Sequence, residues 1–316
     1  MAGIASKHLI RIEDLTVDEI YSVLENAATF KEINTRTIKK LPTLRGRTII
    51  NMFLEPSTRT RSSFELAEKR LSADSLNFSA SSSATVKGES LLDTAETFDA
   101  MKIDMVIVRH RYGGSPWILA EAMDAHIING GDGIHQHPTQ TLLDLFTIQE
   151  AKGRIAGLTV GIVGDIYHSR VAGSLAPALK MMGARPICIA PPSYQPDVPE
   201  ALGAEVSHSL DEALPDLDVV YLLRIQGERA QGLSVPSLRE YATVYGMNQW
   251  RMDNLMKPDA IIMHPGPMNR GVEITPEVIA DSRSLVLDQV NAGVAVRMAV
   301  MYQMLGGEGD VATAAR

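Results

Sequence analysis

A dense group of hydroxyl and guanidinium side chains follows the first strongly apolar stretch of the chain, in the segment Ser57–Arg61 with the sequence STRTR. The apolar stretch Arg47–Phe53 predicts a buried strand that Pro56 ends. Ser57 and Thr58 are good N-cap residues, and helical spacing continues over Ser62–Leu71. A helix N-terminus presents unpaired backbone N–H groups and about half a unit of positive charge. Hydroxyls and arginines at that point predict a site for a phosphate-like anion. The alternative is an ordinary capped helix with solvated arginines.

A second candidate for chemistry is the segment His135–Gln140, with the sequence HQHPTQ. Pro138 suits the first turn of a helix, which leaves His137 just before the helix and Gln140 inside it. Side chains three residues apart can share a helix face, so His137 could donate to a carbonyl oxygen while Gln140 contacts an amide. A buried histidine that caps its own helix is an equally good interpretation.

Polar side chains also follow several other apolar stretches, at the points where predicted strands end. In an open α/β sheet, ligands bind beyond the carboxyl ends of the strands, so these side chains are candidates for a binding site. The groups placed in this way are Arg109 with His110, Asp165 with His168 and Arg170, Arg224 with Gln226, and the segment His264–Pro267. Each group alone is a weak signal, and their repetition favours a ligand site.

Short apolar runs alternate with helical patterns from end to end of the chain, which predicts an α/β fold. The predicted strands are Arg47–Phe53, Ser75–Phe78, Met105–Val108, His126–Ile128, Leu158–Val163, Pro186–Ile189, Val219–Leu223 and Ala260–Met263. The predicted helices include Ser62–Leu71, Leu91–Met101, Thr139–Glu150, Ser169–Met182 and Val290–Met304. We expect two doubly wound domains, each a mainly parallel sheet flanked by helices, joined by interdomain helices. They are predicted over residues 1–150 and 151–289, with a C-terminal helix at 290–305 packing back on the first.

The bulk composition limits the kinds of function that the protein can have. With 45% hydrophobic and 22% charged residues among 316, the chain has the composition of a globular protein in water. A net charge of −8 without a basic block speaks against nucleic-acid binding, so the clustered arginines indicate a small anionic substrate. The single cysteine, Cys188, excludes an intrachain disulfide, and with no long apolar span this predicts a cytoplasmic protein without membrane contact. No structural metal is predicted, because no His/Cys cluster has zinc-like spacing, and no cofactor is expected.

Two further segments carry motifs with competing interpretations. The loop Ser81–Ser90 is either a mobile lid that brings Lys87 to an anion or a solvated serine-rich linker. The turn Gly161–Asp165 resembles part of a dinucleotide-binding fingerprint, but the full glycine pattern is absent. A tight strand-to-helix turn is the preferred interpretation of that segment.

At these residues the sequence resembles the catalytic chains of aspartate carbamoyltransferase, and the resemblance covers almost the whole sequence. The segments that carry it, in chain order, are Ser57–Arg61, Lys87–Glu89, Val108–His110, His137–Gln140, Arg224–Gln226 and His264–Pro267. The first and fourth segments are shared by all transcarbamoylases and mark only the superfamily. The whole set, in this order and spacing, points to the aspartate enzymes.

The resemblance implies an enzyme of pyrimidine biosynthesis that transfers the carbamoyl group of carbamoyl phosphate to the amino group of L-aspartate. The residues it implies as catalytic are Arg59, Thr60, Lys87, Arg109, His137 and Gln140. The residues it implies for carbamoyl phosphate are Ser57, Thr58, Arg59, Thr60, Arg109, His137, Gln140 and the backbone carbonyls of Pro265 and Gly266. The residues it implies for aspartate are Lys87, Arg170, Arg224 and Gln226.

The resemblance also implies an assembly. In the family, the residues matched by Ser83 and Lys87 reach into a neighbouring subunit's site, so we expect at least a homotrimer with shared active sites. Association with a regulatory chain or a dihydroorotase-like chain is left open. Val171 departs from the family pattern, because relatives often carry a hydroxyl residue at that position and use it for aspartate.

Three other functions compete with this one. An ornithine carbamoyltransferase shares the phosphate motif, but it normally carries His-Cys-Leu-Pro where this chain has His264–Pro267. Its substrate's ammonium group would need acidic partners, whereas Arg170 and Arg224 are cationic. A nicotinamide-dependent oxidoreductase would depend on the incomplete glycine motif at Gly161–Asp165. A catalytically inactive scaffolding chain is disfavoured by the intact set of candidate residues.

Overall fold

The computed structural model describes residues 3–79, 90–226, 235 and 237–306. Ser83 and Lys87 therefore lie outside the described residues, together with all of the predicted lid except Ser90. Within the described part of the chain, no helix has the length and hydropathy needed to cross a membrane.

Helices and strands alternate along the described residues, as the apolar pattern predicts. The α-helices are α1 (Val17–Ile33), α2 (Thr58–Arg70), α3 (Leu91–Ala100), α4 (Ser115–Ala122), α5 (Pro138–Lys152), α6 (Arg170–Met181), α7 (Leu210–Ala213), α8 (Leu238–Tyr245), α9 (Gln249–Asn254), α10 (Pro276–Ala280) and α11 (Val286–Met304). The strands are β1 (Thr48–Phe53), β2 (Asp74–Ser79), β3 (Met105–His110), β4 (His126–Asp132), β5 (Thr159–Val163), β6 (Arg185–Ile189), β7 (Glu205–Ser207), β8 (Val219–Leu222) and β9 (Ile261–Met263).

The first sheet contains four parallel strands in the order β2-β1-β3-β4. All four are predicted by their apolar runs, but β3 and β4 continue to His110 and Asp132, past the predicted ends. Apolar side chains of the sheet, including Met52 and Val106, form one buried cluster with Phe98 of α3 and Leu119 of α4. Burial of this kind is typical of parallel sheets covered by helices.

The second sheet contains five parallel strands in the order β7-β6-β5-β8-β9. The edge strand β7 is missing from the prediction because its three residues are exposed or half-buried and give no apolar run. Two parallel sheets with flanking helices confirm the predicted fold class.

Helix α2 begins at Thr58, and Ser57 is its N-cap residue with extended backbone geometry, as its residue type predicts. Thr58, Arg59 and Thr60 therefore form the first turn of the helix. The helical spacing over Ser62–Leu71 continues the same helix, which ends at Arg70.

Contacts within the chain divide it into two compact units. Unit 1 comprises Met1–Phe146 and Asn291–Arg316, and unit 2 comprises Thr147–Val290. Unit 1 contains the first sheet, and unit 2 contains the second sheet. Most of α11 belongs to unit 1 although it follows unit 2 in the sequence.

Candidate functional site

Candidate residues of unit 1 lie at the carboxyl ends of β1 and β3. These strands are neighbours at the point where the strand order changes direction, since β2 lies on one side of β1 and β3 on the other. Phe53 at the end of β1 pairs with Arg109, and the Leu54 N–H donates to the Arg109 carbonyl at 2.9 Å. A crevice at such a switch point is the usual ligand site of an open α/β sheet.

The first turn of α2 presents backbone N–H groups at the helix terminus. Thr58, Arg59 and Thr60 are the first three helical residues, whose backbone N–H groups have no intrahelical acceptor. The Ser57 side chain makes no capping hydrogen bond, and no acidic residue lies in the turn. By contrast, α1 and α3 begin with capping boxes in which a carboxylate already occupies the helix end. The α2 terminus is therefore suited to an external anion.

Arg109 is held in place beside this turn. Its Nη2 lies 3.3 Å from Glu55 Oε1, and its Nη1 donates to the Gly130 carbonyl at 3.2 Å. The Arg109 side chain is only 12% exposed, so the guanidinium is anchored between the segment after β1 and strand β4. An anchored cation loses little side-chain entropy when it binds an anion.

His137 and Gln140 flank the start of α5, as the sequence predicts. The helix begins at Pro138, and the Gln140 N–H donates to the His137 carbonyl at 3.0 Å. Both side chains are buried. Together with Ser57–Thr60 and Arg109, these two residues form what we call the anion cluster of unit 1.

Sequence reasoning missed a buried carboxylate that supports this segment. Asp132 accepts hydrogen bonds from Asn129 Nδ2 at 2.7 Å, from the Gly114 N–H at 3.0 Å and from the Gln136 N–H at 3.2 Å. His135 Nδ1 lies 3.2 Å from both of its oxygens. Burial acts to raise the pKa of Asp132, but these bonds and the nearby His135 hold it below its ordinary value. The run of polar residues that ends β4 was the available signal.

Unit 2 repeats the same arrangement at the carboxyl ends of β5 and β8. The strand order reverses between them, with β6 on one side of β5 and β8 on the other. Gly164 follows β5 with φ of 131°, and a Cβ there would lie 3.0 Å from the Leu223 carbonyl. Gly161 lies inside β5, where a Cβ would overlap with the side chain of Leu217. Both glycines therefore serve a tight turn and close packing, as the preferred interpretation states.

Asp165 joins the two strand ends. This buried carboxylate lies 2.8 Å from His168 Nδ1 and accepts the Gln226 N–H at 3.2 Å. The segment after β5 is thereby tied to the segment after β8, and Gln226 is positioned by its own backbone.

Arg170 and Arg224 lie at this same edge of the second sheet. Arg170 is the first residue of α6 and is only 3% exposed, while Arg224 is half-buried just beyond β8. Val171, the next helical residue, is half-buried and offers no hydroxyl, so the departure from the family pattern stands. We call Arg170, Arg224 and Gln226 the arginine cluster of unit 2.

A second buried carboxylate, Glu273, supports the arginine cluster. It accepts the Ile225 N–H at 2.9 Å, and the Asn269 N–H at 2.6 Å and Nδ2 at 2.8 Å. Burial raises the pKa of Glu273, although these hydrogen bonds act against the shift. The carboxylate therefore ties the segment after β8 to the segment after β9.

Pro265 and Gly266 lie within that last segment and are half-buried. The Gly266 N–H donates to His264 Nδ1 at 2.8 Å. This hydrogen bond does not involve the backbone carbonyls of Pro265 and Gly266. The Gly266–Pro267 peptide bond is cis.

The predicted residues within the described part of the chain thus fall into two groups, one in each unit. No group of three or more His, Cys, Asp or Glu side chains among the described residues could hold a metal ion. Cys188, the single cysteine, is buried in β6, where burial raises its pKa to about 12, so it is not a reactive thiolate.

Two family descriptions match almost the whole chain. Residues 7–150 match the carbamoyl-phosphate-binding domain of aspartate/ornithine carbamoyltransferases. Residues 156–304 match the aspartate/ornithine-binding domain of the same family.

Among characterised sequences, the chain is similar to aspartate carbamoyltransferase catalytic subunits. The subunit from Syntrophotalea carbinolica is 54% identical over 302 residues, covering 96% of each chain. The subunit from Sorangium cellulosum is 53% identical, covering 94% of this chain and 92% of the relative.

Solved structures give the same result. Aspartate transcarbamoylase from Trypanosoma cruzi in complex with N-(phosphonacetyl)-L-aspartic acid matches with a TM-score of 0.86 and 30% identity, covering 96% of this chain and 97% of that one. The complex of the same enzyme with carbamoyl phosphate and aspartate matches with a TM-score of 0.85, covering 95% and 97%. These matches confirm the resemblance that the sequence motifs indicate, and the chain belongs to the aspartate/ornithine carbamoyltransferase family.

Proposed function

We propose that this chain is a transferase that moves the carbamoyl group of carbamoyl phosphate to the amino group of L-aspartate, giving N-carbamoyl-L-aspartate and phosphate. The observation that carries the proposal is the match, over nearly the full length, to catalytic subunits that act on aspartate. The substrate complexes of the Trypanosoma cruzi enzyme support the same pair of substrates.

In this proposal the anion cluster binds carbamoyl phosphate. Ser57, Thr58, Arg59 and Thr60 hold the phosphate through hydroxyls, backbone N–H groups and one guanidinium, with Arg109 beside them. Thr60, Arg109 and His137 contact the carbamoyl oxygen. Gln140 and the carbonyls of Pro265 and Gly266 accept from the carbamoyl amide. The support in the structure is the helix terminus without a capping carboxylate and the anchored Arg109.

The arginine cluster of unit 2 binds aspartate in this proposal, with Lys87 as a further cation. A dicarboxylate needs fixed cations and few competing carboxylates, and Arg170 and Arg224 meet the first need. Residues 1–150 with the helix at 290–305 then act as the carbamoyl-phosphate domain, and residues 151–289 act as the aspartate domain.

The chemistry needs no covalent enzyme intermediate. The aspartate amine attacks the carbamoyl carbon and a C–N bond forms. The C–O bond to phosphate breaks as phosphate leaves with the electron pair and takes up the proton that the amine loses. Negative charge develops on the carbamoyl oxygen, where Thr60, Arg109 and His137 would be donors. The neighbouring arginines disfavour protonation of His137, so we expect a neutral imidazole that donates one hydrogen bond. Orientation of two bound substrates can supply about 7–11 kcal/mol in favourable cases.

The wider setting is proposed from the family resemblance alone. The product, N-carbamoyl-L-aspartate, places the enzyme in pyrimidine biosynthesis. A homotrimer would let Ser83 and Lys87 enter a neighbouring subunit's site, and a regulatory or dihydroorotase-like chain is a further candidate partner. The cytoplasmic location stays a prediction.

The decisive experiment is phosphate release from carbamoyl phosphate by the purified chain, with L-aspartate or L-ornithine as acceptor. Release that depends on aspartate alone is the expected result. Release with ornithine would contradict the proposed role of Arg170 and Arg224. The assay is repeated with the chain at several concentrations, because a shared site predicts that specific activity rises as subunits associate.

The assembly has a separate test. Lys87→Ala and Arg59→Ala chains, each inactive alone, are mixed under conditions that exchange subunits. Shared sites predict that activity returns, because some sites in the hybrid combine an intact Lys87 from one chain with an intact Arg59 from its neighbour. No recovery in verified hybrids would count against contribution of Lys87 in trans.

A further inference from the structure

A buried hydrogen bond connects Gln140 of the anion cluster to a carboxylate on the same helix. Gln140, on the first turn of α5, donates through Nε2 to Asp144 Oδ1 at 3.0 Å. Asp144 is one helical turn further along α5 and has no solvent exposure. Neither the family motifs nor the proposed substrate contacts include Asp144.

Arg297 of α11 supplies the positive charge in this region. It is 3% exposed, and its Nη1 donates to Ser63 Oγ at 2.9 Å and to the Gly293 carbonyl at 3.1 Å. Its guanidinium carbon lies 4.9 Å from the centre of the Phe64 ring. A Cβ at Gly293 would lie 2.6 Å from Nη1, so glycine at that position leaves room for the guanidinium.

The charges of Arg297 and Asp144 depend on one another. Burial lowers the pKa of Arg297 to about 10, while the Asp144 carboxylate acts to raise it, so the arginine remains charged at neutral pH. A buried guanidinium without a counter-charge would be very unfavourable, so the negative charge of Asp144 stabilises Arg297.

The hydrogen bond to Asp144 fixes which way the Gln140 amide points. A carboxylate only accepts hydrogen bonds, so the Gln140 group that faces it must be the NH2 group. The amide oxygen then faces away from Asp144 and is available as an acceptor. The O and N atoms of a glutamine amide have nearly the same shape, so packing alone does not fix the orientation of the amide. The hydrogen bond to Asp144 fixes it.

We propose that Asp144 is a positioning residue that selects a carbamoyl group over other acyl groups by presenting the Gln140 amide oxygen to the ligand. The proposal rests on the proposed function, in which Gln140 contacts the carbamoyl amide. Carbamoyl phosphate has an NH2 group that donates to this oxygen. Acetyl phosphate has a methyl group of nearly the same size there, which leaves the buried oxygen unpaired.

The test compares carbamoyl phosphate, acetyl phosphate and inorganic phosphate as ligands of the wild-type enzyme and of Asp144→Asn. An asparagine can donate as well as accept, so the Gln140 amide is free to turn over. We expect the ratio of kcat/KM for carbamoyl phosphate to that for acetyl phosphate to fall by about 10-fold or more. Binding of inorganic phosphate, which has no acyl group, should change by less than about 2-fold, within the ordinary effect of a distant substitution.

The second variant, Asp144→Asn with Arg297→Gln, removes both charges and so avoids an unpaired buried guanidinium. It should lose the same discrimination as the single variant. In a Gln140→Ala background, Asp144→Asn should have no further effect on the ratio, because the group it orients is gone. Glu19→Gln, a carboxylate-to-amide change at a buried position of α1, serves as the matched control and should leave the ratio unchanged.

The outcomes separate this inference from the proposed function. If the wild-type enzyme does not transfer the carbamoyl group to aspartate, the proposed function fails. If it does and the Asp144→Asn variant keeps the wild-type ratio, only the positioning role is wrong. Equal losses for all three ligands would show that Asp144 is structural and would also overturn the inference.

Discussion

The two clusters lie at equivalent points of two similar sheets, yet they contain different kinds of polar group. In unit 1 the strands that meet at the switch point are β1 and β3, and in unit 2 they are β5 and β8. The anion cluster uses a helix terminus, hydroxyls and an amide, with Arg59 and Arg109 as cations. The arginine cluster uses half-buried or buried guanidinium groups at strand ends.

The supports of the two clusters differ as well. The donors of α2 come from one continuous segment, whose geometry follows from the helix itself. The arginine cluster depends on buried carboxylates that join distant segments: Asp165 contacts Gln226 across 61 residues, and Glu273 contacts Ile225 across 48. Topology therefore places both sites, while the segments that follow the strands decide which ligand each one suits.

The largest expected effect is on the anion cluster. Arg59→Ala should weaken carbamoyl phosphate binding by about 100-fold or more, because each charge-assisted contact contributes about 1.5–3 kcal/mol and Arg59 is expected to make more than one. Direct binding of carbamoyl phosphate, measured by calorimetry without aspartate, checks this. Arg61→Ala is the matched control, since Arg61 is exposed and pairs with Glu65 at 3.3 Å on the surface of α2. Similar losses in both variants would contradict a specific role for Arg59.

A smaller effect is expected from the arginine cluster. Arg224→Ala should raise the KM for aspartate by about 10- to 100-fold through loss of one charged contact, with little change in carbamoyl phosphate binding. Steady-state kinetics with each substrate varied in turn measures both quantities. Arg239→Ala on the exposed surface of α8 is the control and should leave both unchanged. If Arg224→Ala weakened carbamoyl phosphate binding and spared aspartate, the assignment of ligands to clusters would be reversed.

Local motifs allowed the sequence to predict much of the fold and of the anion cluster. The apolar runs give the strands of both sheets apart from β7, and the segment Ser57–Arg61 carries its own chemistry within five consecutive residues. Strand-end positions also predicted Arg109 and Arg224, because parallel strands bring their carboxyl ends to one edge.

The supporting residues could not be predicted, because their partners are far apart in the chain. Arg297 contacts Ser63 across 234 residues, and no local pattern connects those positions. Asp144 and Glu273 look like ordinary helical or loop carboxylates until the fold buries them. Long-range pairing of this kind is fixed by topology and not by periodicity.

The buried carboxylates of the two units should respond differently to the same substitution. Glu273 accepts two backbone N–H groups, which cannot rotate away, so Glu273→Gln would turn an amide NH2 toward one of them. We expect a loss of about 1–3 kcal/mol in the free energy of unfolding, measured by urea denaturation at pH 7. A neutral result would contradict the view that Glu273 holds the segments after β8 and β9 together.

Glu68, on the α2 helix of the anion cluster, should tolerate the same change. It accepts Asn51 Nδ2 at 2.9 Å and the Ser75 hydroxyl, and both donors can reorient. Asn51 Oδ1 has no hydrogen-bond partner within the described part of the chain, so it can accept from the amide that Glu68→Gln introduces. We therefore expect the variant to fold normally. Comparison with wild type then measures how much stability the fold loses when Glu68 ionises.

The loss of stability on ionisation of Glu68 has a definite pH dependence. Burial raises the pKa of Glu68 to about 7 from an ordinary value of 4.5, so the folded state binds its proton more tightly than the unfolded state. The associated stability is complete below pH 4.5 and is lost as the pH rises through about 7, with a total on the order of 3 kcal/mol. Glu68→Gln lacks this loss, so its stability relative to wild type should increase between pH 5 and about 8.

Glu19→Gln, also in unit 1, should have the opposite effect on the pH dependence of stability. Burial acts to raise the pKa of Glu19, but bonds from the Thr16 and Ala5 N–H groups and the Thr16 hydroxyl hold it below its ordinary value. Its charge therefore stabilises the fold above pH 4.5, and that contribution is lost as the pH falls through the lowered pKa. The variant should be less stable than wild type at pH 7, with a difference that shrinks on acidification. Parallel pH profiles for the two variants would mean that Glu68 is ionised in the fold, and α2 would then carry a buried negative charge in the same helix as the proposed anion site.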